Sequence, residues 1–142
     1  MTINQLSIFI ENRSGTLIKV LQVLKQSGIQ IVASTIADTA EYGIYRLICS
    51  EPLRAYEELK KNGVAVAQSN VFALELDDEP GRAVDAVETF SKAGISIAYM
   101  YTFLLNGKGI MIFRTENAEV AEKVIIDNKL QYIEEPDLSK LA

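Results

Sequence analysis

Near the start of the chain Leu6, Ile8 and Ile10 fall on alternate positions, the pattern of a strand with one buried face. The strand stops at Glu11-Asn12-Arg13-Ser14-Gly15. Leu17, Val20, Leu21 and Leu24 then recur at i, i+3, i+4 and i+7, which predicts an amphipathic helix that Gly28 can close as a C′ residue. Residues 29–37, rich in Ile, Val and Thr, predict a second strand, followed by a turn at 38–41 and a third strand over 42–49. Pro52 suits the first turn of a second helix running to Lys61, with Asn62-Gly63 closing it and a short apolar fourth strand at 64–67.

The same order then repeats. Strand 71–76, helix 81–92, strand 95–104, strand 109–115, helix 118–128 and strand 130–133 follow, with Asn106-Gly107 suited to a tight type I′ turn between the third and fourth of these. Gly15 and Gly81, Gly28 and Gly94, and Gly43 and Gly109 are each 66 residues apart, so six of the eight glycines form three matched pairs. The apolar frame moves with them, Ile29 onto Ile95, Ile31 onto Ile97, Ile44 onto Ile110, and so does Asn62 onto Asn128. A shared glycine frame implies a shared turn geometry. The expected fold class is α+β: two ferredoxin-like βαββαβ units in tandem with antiparallel sheets, residues 1–69 and 70–142, joined at Ser69-Asn70 without a flexible linker.

Composition narrows the function. Each unit of about 60–70 residues would be marginal alone, because it buries only about 60% of its unfolded surface. Hydrophobic content of 49% with 23% charged residues is ordinary for a globular chain. No segment approaches the roughly 20 apolar residues of a membrane span, and residues 1–5 lack the basic, apolar start of a signal peptide, so a cytoplasmic location and no membrane partner are expected. The single cysteine, Cys49, ends an apolar alternation and reads as a buried small hydrophobe. There is no histidine, which removes the usual general base and the commonest metal ligand, and no metal or cofactor is expected. A formal charge of −5 argues against a nucleic-acid partner.

The first strand-to-helix turns read Asn12-Arg13-Ser14-Gly15-Thr16-Leu17 and Asp78-Glu79-Pro80-Gly81-Arg82-Ala83, and the second strands open on Gly28-Ile29-Gln30-Ile31 and Gly94-Ile95-Ser96-Ile97. Together these resemble the ACT domain, a small regulatory amino-acid-binding module, twice over, with the second copy the closer match because the first has Ser14 where the second has Pro80. The resemblance implies a small ligand, often an amino acid, held between modules near the glycine turn. It implies no catalytic residues, and, in departure from the familiar arrangement, no attached enzyme domain is expected. A regulatory sensor of a free amino acid is expected, acting on a separately encoded metabolic enzyme.

The turns carry a physical case of their own. A helix start leaves its first N–H groups unpaired at the positive end of the helix dipole, which favours a carboxylate. Asn12 can donate and accept, whereas an ionised Asp78 only accepts and suits an ammonium. Both also sit where turn-forming or capping side chains are common. Arg13 and Arg82 equally suit solvated surface charges, and Gln30 and Ser96 fit either a neighbouring module or solvent. The carboxylates Asp77, Asp78 and Glu79 are consecutive and point in different directions, so they make a poor acid–base pair, and no nucleophile with an adjacent base can be assembled. The strand at 95–104 is apolar on both parities, with Tyr99, Tyr101 and Phe103 on one side and Ala98, Met100 and Leu104 on the other, which predicts a second covered face and a homodimer. A ligand-free assembly module is the remaining alternative.

Overall fold

The computed structural model describes residues 1–11, 15–38 and 42–140. Asn12, Arg13 and Ser14 of the first turn, and most of the hairpin turn expected at 38–41, lie outside them. The elements run β1 (Ile3–Glu11), α1 (Thr16–Gln26), β2 (Ile31–Asp38), β3 (Tyr42–Cys49), α2 (Pro52–Lys61), β4 (Val66–Leu76), α3 (Arg82–Lys92), β5 (Ile97–Leu105), β6 (Lys108–Thr115), α4 (Ala118–Asp127) and α5 (Glu135–Lys140). The chain divides into two compact units. The first is Asn4–Ser69 with the segment from Pro136, and the second is Met1–Ile3 with Asn70–Glu135. Both are βαββαβ-like with antiparallel strands, α1 and α2 packing on one face of those in the first unit and α3 and α4 on one face of those in the second.

In the first unit β3 lies between β2 and β1, with Ile8 opposite Tyr45 and Tyr45 opposite Ile36. Alternate residues share a face, so Leu6, Ile8, Tyr45, Leu47 and Cys49 meet Val20, Val23 and Leu24 of α1 and Ala55 and Leu59 of α2 in one core. In the second unit β6 lies between β4 and β5. Phe72, Leu74, Met111 and Phe113 pack there against Ala86 and Phe90 of α3 and Ala121, Val124 and Ile125 of α4. The opposite strand faces are closed as well, since Val71, Ala73, Ile110 and Ile112 are buried.

Three expectations change on contact with the structure. The strands expected at 64–67 and 71–76 are one strand of eleven residues, β4, because nothing at Ser69-Asn70 breaks the extended backbone; its start belongs to the first unit and its remainder to the second. The strand expected at 130–133 is reduced to a single bridge, Leu74 to Tyr132, flanked by Glu75 N–H donating to Gln131 O and Ile133 N–H donating to Ala73 O, both 2.9 Å. That segment has little length to extend, because α5 starts at Glu135 with Pro136 in its first turn. On β5 the large apolar side chains left exposed are Met100 and Leu104, at 38% and 65% exposure, while Tyr99, Tyr101 and Phe103 are half-buried.

The repeat is visible in backbone angles even where the residue type departs. Gly63 ends α2 at φ 77°, and the residue 66 positions on, Lys129, ends α4 at φ 54°, with matching hydrogen bonds to Lys60 O and Ile126 O, each 3.1 Å. A left-handed conformation costs a residue with a Cβ roughly 1–2 kcal/mol. Part of that is offset by the extra freedom glycine has when unfolded, so Lys129→Gly is expected to stabilise by about 0.5–1 kcal/mol, read as a rise of about 2–4 °C in Tm. An unchanged or lower Tm would show that the lysine is not strained there.

Candidate functional site

Both candidate turns are built alike. Gly15 (φ 95°, ψ −19°) precedes α1 and Gly81 (φ 87°, ψ −4°) precedes α3, each left-handed and each accepting the first helical hydrogen bond, from Lys19 N–H and Asp85 N–H at 3.1 Å. A Cβ at either glycine would meet nothing within 4 Å, so the backbone angle and not lack of space demands glycine. The N-cap glycines supply no side-chain cap to either helix start. Among the described residues Asp78 makes no capping hydrogen bond to α3, and although Arg82 N–H is taken by Glu79 O, the Ala83 and Val84 amides stay open to an anionic or polar group.

Around Gly81 the charges are sorted by Arg82. Its guanidinium lies 2.5 Å from Glu79 Oε2, 3.3 Å from Asp85 Oδ2 and 3.9 Å from Asp77 Oδ2, and Lys108 Nζ lies 3.6 Å from Asp77 Oδ1. The hydrogen bond to Asp85 and the charge of Glu79 raise the guanidinium's pKa above its ordinary value. Glu79 N–H donates to Asp77 O at 2.9 Å and Arg82 N–H to Glu79 O at 3.4 Å, folding the acidic segment back on itself around exposed Pro80. Asp78 is exposed and makes no ion pair or side-chain hydrogen bond with the described residues. It is the one carboxylate of this turn left for an external cation.

The first turn is chemically different. Thr16 Oγ1 donates to Glu11 O at 2.8 Å, tying α1 to the end of β1. A cavity of about 240 Å³ opens beside it, lined by Phe9, Glu11, Thr16, Lys19, Val20, Gly63, Val64 and Ala65. Lys19 and Phe9 lie outside the turn motif that the sequence points to. The signal was present, because Lys19 stands four residues after Gly15, where the second copy has Asp85 four after Gly81. The sign of the charge is reversed between the copies. Phe9, apolar yet 51% exposed, lies with its ring 6.2 Å from that of Tyr42.

Gln30 and Ser96 do not join these turns within their own units. Each precedes its second strand, at the far end of an eleven-residue helix from the glycine, a helix length of about 16 Å. There they fix strand ends: Gln30 N–H donates to Ser50 Oγ at 3.0 Å, and Ser96 O accepts from Thr115 Oγ1 at 2.9 Å. Among the described residues no three His, Cys, Asp or Glu side chains converge as a metal site requires, and no helix is long and apolar enough to cross a membrane.

The profile of the ACT domain pair family matches residues 1–142, and the chain belongs to that family. Among solved structures it is similar to protein BT0572 from Bacteroides thetaiotaomicron, with 36% identity, a TM-score of 0.94, and 99% of this chain and 97% of that one covered. It shares its fold with the regulatory subunits of aspartate kinase from Thermus flavus (TM-score 0.61, 17% identity, 87% of this chain and 90% of that one) and Thermus thermophilus (TM-score 0.59, 17% identity, 87% and 91%). No curated protein matches the chain.

Proposed function

We propose that this chain is a regulatory sensor that binds a free amino acid beside its glycine turns, catalyses nothing itself, and acts in the cytoplasm as a homodimer on a separately encoded metabolic enzyme. The observation that carries this reading is the state of Asp78. Its neighbours Asp77 and Glu79 are engaged by Arg82 and Lys108, whereas among the described residues Asp78 has no side-chain partner and lies next to a helix start without a side-chain cap. An amino acid presents an ammonium and a carboxylate on one carbon, so it needs an acceptor and a set of open donors close together, which this turn supplies. The first turn offers the complementary balance, with Lys19 and the start of α1 suited to the carboxylate end. The regulatory partner is carried across from the aspartate kinase subunits, which share the fold and are regulatory parts of an enzyme.

Thermal melting of the chain against each of the twenty amino acids tests this. A ligand that binds only the folded state stabilises by RT ln(1 + [L]/Kd), about 2.7 kcal/mol at a hundred times Kd. One amino acid, or a small chemically related set, is expected to raise Tm. If none does at millimolar concentration, the reading as a ligand-free assembly module takes its place.

A further inference from the structure

The two copies diverge where their second helix ends. The inward positions stay alike, with Leu59 matched by Ile125 and Val64 by Leu130, while Lys60 is matched by Ile126, Gly63 by Lys129, Ala65 by Gln131 and Val66 by Tyr132. The second copy thus trades a charge for an apolar side chain in the last turn of α4, and gains three polar-tipped side chains just beyond it. These residues line a cavity of about 370 Å³, to which Ile125, Ile126 and Leu130 give apolar surface and Lys129, Gln131 and Tyr132 polar groups. Ile126 and Tyr132 are 61% and 41% exposed. Among the described residues the side chains of Lys129, Gln131 and Tyr132 make no hydrogen bond or ion pair. Lys129 stands there at φ 54°, a conformation that costs a residue with a Cβ and that the first copy gives to glycine. An observed strain of this kind points to work for the side chain.

We propose that this cavity binds a small monocarboxylate with an aromatic or branched apolar body, as a site separate from the glycine turns. Lys129 is the one charged group among the described lining residues, so the ligand that complements it is an anion. The Gln131 amide and the Tyr132 phenol add donors for the carboxylate oxygens. Ile126, Leu130 and the ring of Tyr132 take the apolar body, the usual division of labour in a small-molecule site. No described lining residue is Asp or Glu, so an ammonium finds no charged partner and a free amino acid is disfavoured. None of the six residues belongs to either glycine turn, so this site stands or falls independently of the amino-acid site.

Chemical-shift titration of the isotope-labelled full chain tests the site, with phenylacetate as the probe and phenethylamine as the same ring carrying the opposite charge. Phenylacetate is expected to shift the amides of residues 125–132 saturably, and phenethylamine is not. Lys129→Gly, which restores the first copy's residue, is expected to weaken phenylacetate by roughly threefold to tenfold, the range of an ion pair at an exposed rim. Because the same change is expected to raise Tm, such a loss is not a loss of fold. Ile126→Gln, at an exposed position, is expected to weaken the probe by a similar factor through lost apolar contact. Equal shifts with phenethylamine, parental affinity in either variant, or no saturable shift at millimolar phenylacetate would overturn the site.

Discussion

Replacing Phe113 by alanine is expected to destabilise the chain by about 3–5 kcal/mol, the usual cost of removing a buried aromatic ring. Phe113 is fully buried on β6 at the centre of the second unit's core. Its ring stacks on Phe72 at 5.3 Å and 23°, and meets Phe90 of α3 tilted at 4.8 Å and 53°. One truncation therefore removes both aromatic contacts and the surface that holds the helix layer on the sheet. Against a total stability of about 5–15 kcal/mol this is a large share. Chemical denaturation measures it, with Phe9→Ala as the comparison: that ring is 51% exposed and its loss is expected to cost under about 1 kcal/mol. Equal effects at the two positions would mean that the core is not organised around the three rings.

The second large effect concerns binding. Asp78→Ala is expected to weaken amino-acid affinity by roughly tenfold to a hundredfold, because a hydrogen bond to a charged group contributes about 1.5–3 kcal/mol. Arg82→Ala is expected to weaken it less. The guanidinium is already shared among Glu79, Asp85 and Asp77, so it shapes the turn and has little left for a ligand. Titration of both variants, with Asp78→Asn to separate charge from hydrogen bonding, reads the difference. A greater loss with Arg82→Ala than with Asp78→Ala would move the polar contact from the aspartate to the arginine.

Much of the fold was legible because the repeat states it twice. Gly15 and Gly81 mark left-handed turns, and the hydrophobic stripes of α1 and α3 follow them at helical spacing. What escaped was set by chain context and not by local pattern. Ser69-Asn70 looks like a boundary by composition, but polar residues break a strand only when a turn competes, and β4 runs through them. Lys129 hides a glycine position, since the sequence does not show that the matching hydrogen bonds force it left-handed. At the candidate site the motif pointed to the turns, while the grouping of Asp77, Glu79 and Asp85 around Arg82, and the isolation of Asp78, depends on side-chain directions that spacing alone does not give. The contrast of Lys19 with Asp85 was readable from the 66-residue offset, and it becomes meaningful only once Lys19 is seen lining a cavity.

Calorimetric titration of the intact chain with the amino acid selected by the melting screen tests the central claim most directly. The account predicts saturable binding with a Kd below a millimolar, weakened at least tenfold in Asp78→Ala. Absence of binding heat with every amino acid at millimolar concentration, or parental affinity in both Asp78→Ala and Asn12→Ala, would contradict it.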